Sequence, residues 1–145
     1  MKITKIATRI VNLPFESTIT TAIHEMSSVG CVLLTIETDE GIEGQSYLFT
    51  LNATQIHSFN EMLRGFESHL IGKDPQFVEV IWQEIWQAIS SMRHKDIAIP
   101  ALSTIDTAIW DIVGKTANLP LHRLFGACRE KIKTYASGGL WLSQP

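Results

Sequence analysis

The chain has 145 residues, of which 45% are hydrophobic and 19% are charged, a composition typical of one soluble globular domain. Twelve Lys and Arg against fifteen Asp and Glu give a net charge of -3, and because no basic run is present the sequence argues against nucleic-acid binding. The length also excludes a complete (β/α)8 barrel, since that fold typically needs about 250 residues.

Cysteine spacing and hydrophobicity indicate the cellular compartment. Cys31 and Cys128 are far apart and neither belongs to a C-x-x-C pair, so we interpret both as buried thiols. The N-terminus lacks a continuous apolar segment, and no apolar run reaches the roughly 20 residues of a membrane span. The sequence therefore predicts a cytoplasmic protein that has no membrane partner.

The first fifty residues predict a small antiparallel sheet. Residues 2–13 are rich in Ile, Val and Thr and predict a strand that ends at Pro14. Residues 15–28 show no sustained period and are expected to form a loop long enough to have a function. Residues 29–38 and 42–48 flank an Asp-Glu-Gly turn and predict a β-hairpin.

Apolar residues three and four positions apart predict two helices after the sheet. The first extends from about residue 54 to about residue 70, with Asn52 or Thr54 as its N-cap. Asp74 and Pro75 suit the N-cap and first position of the second helix, because proline there loses no helical hydrogen bond.

The last part of the chain predicts two more helices and an isolated strand. A third helix begins at Pro100 and ends near Asn118, and a short helix stops at Gly126. Residues 132–137 predict a strand with no following partner. We infer that the chain continues in the parent protein, or that the strand pairs with something that this chain does not supply. The predicted fold class is therefore α+β, with a three-stranded antiparallel sheet followed by a helical bundle.

The sequence shows no complete catalytic set. His24-Glu25 begins like a zincin motif but lacks its second histidine. His57 and Glu61 lie four apart on a predicted helix, and we favour a solvated helix face over a metal site. Asp111 and Lys115 have the spacing and order of a stabilising salt bridge within a helix.

Several longer motifs are more specific than these patterns. In chain order they are NLP at 12–14, GQSYLF at 44–49, IDTAIWDIVGK at 105–115, LPL at 119–121, LFGA at 124–127 and YAS at 135–137. As an ordered set they resemble the mandelate racemase and muconate lactonizing enzymes of the enolase superfamily. The resemblance covers nearly the whole chain.

The resemblance implies a capping domain at residues 1–126 and, at residues 127–145, the start of a (β/α)8 barrel whose remainder is missing. In that family, Mg²⁺ held by three barrel carboxylates stabilises an enediolate while a Lys or His base removes the proton α to a carboxylate. Lys131 and Lys133 spell the family's K-x-K, but they precede the first barrel strand and are assigned no catalytic role. The chain is thus expected to hold no catalytic or metal residue and to be inactive alone.

The resemblance also assigns candidate substrate-binding residues. The predicted loop matches the family's mobile capping loop, in which Ile23 and Met26 contact the distal part of the substrate or simply pack. His24 adds a polar contact or stays in solvent, and Leu51 matches a second capping-loop position. Ser137, at the end of the first barrel strand, matches a serine that hydrogen-bonds a substrate carboxylate oxygen.

Two functional hypotheses follow. In the first, the chain is the capping and specificity domain of a Mg²⁺-dependent racemase, acid-sugar dehydratase or cycloisomerase, and its partners are a small-molecule carboxylate and its own C-terminal barrel. In the second, it is a stand-alone α+β interaction module without catalysis. Under both hypotheses the apolar face left by the missing barrel predicts a homo-oligomer.

Overall fold

A computed structural model describes residues 1–91 and 95–136 as an antiparallel sheet packed against helices. The three strands, in sheet order, are β1 (Ile3–Thr20), β2 (Glu25–Thr38) and β3 (Glu43–Leu51). The helices are α1 (Ile56–Gly65), a single 3-10 turn (Glu67–His69), α2 (Val78–Ser90), α3 (Lys95–Ala117) and α4 (Leu121–Leu124). The predicted α+β class and the β2–β3 hairpin are confirmed, and Gly41 has a φ of 76° in the hairpin turn.

The hydrophobic core lies between the sheet and the helices. Alternate residues of β2 are buried, namely Val32, Leu34 and Ile36, as the two-residue period of a strand requires. They form one cluster with Ile105 and Ile109 of α3. The central strand therefore fixes which helix faces turn inward.

α3 is the longest helix, and much of it is buried. By length and composition alone its 23 residues are sufficient to cross a membrane, but half of its most apolar window is buried inside the fold. The helix begins at Lys95, so the prediction that it starts at Pro100 is wrong. Pro100 lies inside the helix, where it cannot donate a hydrogen bond to the Asp96 carbonyl, and burial of Ala98 and Ala101 on either side of it keeps the extra turn in place.

Close packing and a polar network hold α3 against β3. A Cβ added at Gly44 would lie 2.1 Å from the carbonyl oxygen of Ala108, so only glycine permits this approach. Asp111 Oδ2 accepts hydrogen bonds from the backbone N–H of Gln45 at 2.8 Å and from Lys115 Nζ at 2.7 Å. The predicted salt bridge within α3 is confirmed, and it also links the helix to the strand.

β1 continues beyond Pro14, where the sequence predicts its end. Pro14 pairs with Ser28 of β2, and a register irregularity follows before the next pair. Proline is tolerated here because β1 is an edge strand, where a missing N–H does not break a ladder on both sides.

Two helices begin later than the sequence predicts. Gln55 is the N-cap residue of α1 and provides no side-chain cap, so neither Asn52 nor Thr54 has that role. The carboxylate of Asp74 accepts the backbone N–H of Gln76 at 3.0 Å, which forms a local turn before α2 starts.

The C-terminal region also differs from the prediction. Residues 132–136 are exposed and have no regular structure, because none of the described strands pairs with them. Cys128 is exposed, so its prediction as a buried thiol is wrong, whereas Cys31 is buried as predicted.

Candidate functional site

The first component of the candidate site is the distal hairpin, residues 15–28. β1 and β2 remain paired there through Ile19 with Met26 and Thr20 with Glu25. The predicted loop is therefore wrong for most of this segment. Pairing with the opposite strand satisfies the backbone groups even though the segment has no hydrophobic period.

A four-residue turn closes the tip of the distal hairpin. Thr21 Oγ1 accepts the backbone N–H of His24 at 3.0 Å, and the Thr21 N–H donates to the His24 carbonyl at 2.7 Å. The side chains of Ile23 and His24 are exposed, and Ile23 is 82% accessible. The tip is therefore ordered by Thr21 while Ile23 projects into solvent.

The second component is residues 51–55, which comprise the last residue of β3 and the four residues that follow it. Asn52, Ala53 and Gln55 have φ values of 54°, 50° and 57°. A left-handed backbone costs about 1–2 kcal/mol for a residue such as Ala or Gln, and strain of this kind persists where packing and hydrogen bonds impose it. Here a Cβ added at Gly30 of β2 would lie 2.6 Å from Ala53 Cα, so the segment sits directly on the sheet.

Asn52 connects the two components through its side-chain amide. Its Oδ1 accepts the backbone N–H of Ser27 at 2.8 Å and the Ser27 hydroxyl at 3.4 Å. Its Nδ2 donates to the Glu25 carbonyl at 2.8 Å, and its backbone N–H donates to the Ser28 carbonyl at 2.9 Å. These bonds explain why Asn52 does not cap α1.

A cleft of about 400 Å³ lies between the distal hairpin and the 51–55 segment. Its lining residues are His24, Glu25, Met26, Thr50, Leu51, Asn52, Thr54, Gln55 and Phe59. The structure thus brings together three of the predicted substrate-binding residues, His24, Met26 and Leu51. Ile23 is not among the lining residues, and Ser137 lies outside the described residues.

The cleft also contains polar residues that sequence reasoning missed. Thr50 Oγ1 is buried and has no hydrogen-bond partner among the described residues. Thr54 and Gln55 add a hydroxyl and an amide to the same wall. The sequence signal for these residues is the polar stretch at 52–55, directly after the apolar end of β3. A helix cap for α1 explains this stretch equally well.

The described residues do not fit a magnesium site. Across residues 1–91 and 95–136, no group of three or more His, Cys, Asp or Glu side chains is placed to hold a metal ion. His57 and Glu61 are both exposed on α1. The part of the chain that the structure describes therefore offers a lined cleft without a cluster of three metal ligands.

An acidic side chain with a shifted pKa lies on α3. Burial raises the pKa of Asp106 above its usual range, and the charge of Glu79 on α2 raises it further. Neither residue lines the cleft between the distal hairpin and the 51–55 segment. The shift therefore bears on the stability of the helical layer.

Known proteins match this chain in sequence and in fold. Residues 3–126 match the family model described as mandelate racemase / muconate lactonizing enzyme, N-terminal domain. The chain is 31% identical to 3,6-anhydro-alpha-L-galactonate cycloisomerase of Streptomyces coelicolor, over 99% of this chain and 40% of that protein. It is 39% identical to a D-galactonate dehydratase family member of Marinomonas sp., over 72% of this chain and 26% of that protein.

A solved structure agrees with these matches. The L-talarate dehydratase of Polaromonas sp. JS666, complexed with Mg and L-glucarate, has a TM-score of 0.83 and 26% identity, over 99% of this chain and 40% of that chain. The chain thus spans at most 40% of the length of each of these three relatives. Because the family model covers most of its residues, this chain belongs to the mandelate racemase / muconate lactonizing enzyme family and corresponds to that family's N-terminal domain.

Proposed function

We propose that this chain is the capping domain of a Mg²⁺-dependent enzyme that removes the proton α to the carboxylate of an acid sugar. The reaction class is that of a dehydratase, cycloisomerase or racemase. Membership of the family supports the proposal, as do relatives named as a cycloisomerase and as a dehydratase complexed with Mg and L-glucarate. The observation that carries it is the cleft that this chain builds from the distal hairpin and the 51–55 segment.

The proposed chemistry divides between this chain and residues outside it. A proton α to a carboxylate is weakly acidic, so its removal needs a base and a cation that stabilises the developing charge. The described residues hold no cluster that fits a metal ion, and the family resemblance assigns both the ion and the base to the barrel, so the proposal places them outside this chain. The part of this chain is to enclose the substrate and to exclude water.

The cleft matches the distal part of an acid sugar in polarity. Met26 and Leu51 supply apolar surface that excludes water, and His24, Thr54 and Gln55 supply groups that hydrogen-bond to hydroxyls. The exposed Ile23 completes the wall when the cap closes over the barrel. Ser137 is proposed, from the family resemblance, to hydrogen-bond a substrate carboxylate oxygen.

A turnover screen of the full-length protein that carries this chain tests the proposal. The panel contains aldonates and aldarates, each with Mg²⁺, and proton NMR in D₂O follows exchange at the carbon α to the carboxylate. We expect exchange or dehydration with at least one acid sugar, its loss with EDTA, and no turnover by the 145-residue chain alone. Turnover by the isolated chain, or no exchange with any acid of the panel, would contradict the proposal.

The role of the cleft is tested by a matched pair of variants in the full-length protein. Leu51→Ala removes apolar surface from the cleft, whereas Ile71→Ala removes similar surface from an exposed position outside it; the two side chains are 45% and 41% accessible. We expect Leu51→Ala to lower kcat/KM about tenfold, because one or two lost methylene contacts are worth roughly that factor. Ile71→Ala should stay within about twofold of wild type, and equal effects of both variants would rule out a specific role for Leu51.

Self-association has separate support from the sheet. Leu33, Tyr47 and Phe49 are 41%, 63% and 59% accessible, on the face of the sheet opposite the core. Contiguous apolar surface of this kind is typical of an interface, so we propose that the protein is a homo-oligomer that buries this face. Analytical ultracentrifugation should give a dimer or larger for wild type and a smaller species for Phe49→Glu; a wild-type monomer would contradict this proposal.

A further inference from the structure

The distal hairpin extends beyond the reach of β3. The last β2–β3 pair joins Val29 to Leu51, so residues 25–28 have no β3 residue beside them. The tip of the hairpin is exposed and contributes no residue to the buried core. Its position relative to the 51–55 segment therefore depends on a few local contacts.

The side chain of Asn52 provides the contacts that a longer β3 would otherwise supply. It accepts a hydrogen bond from the Ser27 N–H and donates one to the Glu25 carbonyl, each at 2.8 Å. An amide is suited to this position because it carries both a donor and an acceptor, whereas a carboxylate only accepts. Asparagine also tolerates the φ of 54° at this position better than most residues.

We propose that Asn52 is a positioning residue that clamps the distal hairpin to the 51–55 segment. This clamp brings Met26 from one component and Leu51 from the other to the lining of the same cleft. The Asn52 bonds then hold the two components in one relative position. The consequence for substrate selection rests on the proposed function, whereas the clamp itself is a property of this chain.

Hydrogen exchange measured by NMR on the 145-residue chain tests the clamp without any activity assay. Asn52→Ala removes both side-chain bonds, and Asn52→Asp keeps the acceptor for Ser27 but loses the donor to Glu25. We expect Asn52→Ala to accelerate exchange of the Ser27 amide about tenfold, since the lost bonds are worth about that factor. Asn52→Asp should restore Ser27 protection to within about threefold of wild type.

Asn118 provides a matched control. It has a φ of 51°, and its side chain makes no hydrogen bond to any of the described residues. Asn118→Ala therefore imposes the same backbone strain without removing a clamp, and it should leave Ser27 exchange unchanged.

Two results would overturn the clamp. One is Ser27 exchange in Asn52→Ala within twofold of wild type. The other is an equal acceleration at core amides such as that of Ile105, which would show a general loss of stability. Absence of turnover in the full-length protein would instead refute the proposed function, and the exchange experiment is independent of that result.

Discussion

Replacing Gly30 by alanine should disrupt the packing beneath the cleft. Gly30 lies on β2 opposite Thr50, and a Cβ added there would be 2.6 Å from both Cα and Cβ of Ala53. Carbon atoms pack favourably at about 3.5–4.0 Å, so the 51–55 segment has to move by about 1 Å. The contact is with backbone, which a side-chain rotation does not relieve.

The cost of Gly30→Ala follows from this displacement. Overpacking of this kind costs about 1–3 kcal/mol, and movement of the segment also weakens the Asn52 bonds, each worth about 1 kcal/mol. We therefore expect the free energy of unfolding to fall by about 3 kcal/mol. For a chain of this length that corresponds to a decrease in Tm of roughly 6–12 °C.

Thermal and urea unfolding followed by circular dichroism measure this loss. Gly65→Ala is the control, because its added Cβ meets nothing within 4 Å, and it should retain or slightly raise stability. Ala53→Gly removes the Cβ of Ala53, which is one of the two atoms that clash with the added Cβ at position 30. The change in unfolding free energy that Ala53→Gly causes should therefore be about 1 kcal/mol more favourable in the Gly30→Ala protein than in wild type. A Gly30→Ala protein within about 0.5 kcal/mol of wild type, or strict additivity of the two changes, would refute the reasoning.

Three further predictions concern other parts of the fold. Gly44→Ala should destabilise the chain by about 3 kcal/mol or more in urea unfolding, since its Cβ would lie 2.1 Å from the Ala108 carbonyl oxygen; an unchanged midpoint would contradict this packing. The raised pKa of Asp106 means that the folded state binds a proton more tightly than the unfolded state, so its contribution to stability decreases as pH rises from about 4 through the folded pKa. Asp106→Asn should therefore raise Tm at pH 7 but not below about pH 4. A higher Tm at both pH values would show that the effect does not come from the charge of the buried carboxylate. Ellman's reagent should modify only the exposed Cys128 in the folded chain, and modification of two thiols would contradict the burial of the other cysteine.

Local sequence patterns predicted the elements in which one period dominates. Alternation along β2 and the glycine turn at Gly41 identified the β2–β3 hairpin, because one face of the strand is buried and the turn needs a positive φ. The apolar stripes of α2 and α3 identified both helices, although the start of each was misplaced. A helix start depends on individual capping contacts, and these are not visible in the periodicity.

The distal hairpin shows where local patterns failed. Residues 15–28 carry no hydrophobic period because all of them except Ser28 are exposed or half-buried, yet the backbone pairs across the hairpin. The predicted strand is absent from residues 132–136, the part of it that the structure describes. Its sequence favours a strand, but none of the described residues provides a neighbour for it.

The candidate site was predicted only in part, and by family resemblance instead of pattern. His24, Met26 and Leu51 meet in one cleft, whereas Ile23 is exposed and does not line it. The sequence pattern favours Asn52 or Thr54 as a helix cap, because asparagine both caps helices and joins loops. Its partners on β2 are 24–27 positions away in sequence, a separation that no local rule spans.

The sequence by itself determined the α+β class, the order of most elements, the membership of a family and three of the residues that line the cleft. Only the tertiary structure determined that residues 15–28 form a hairpin, that Asn52 joins it to the 51–55 segment, and that Gly30 and Gly44 sit where no side chain fits. The physical reason is the range of the interactions. Hydrophobic period and turn preference act between near neighbours in the chain, whereas these contacts join strands and helices that only the folded backbone brings together.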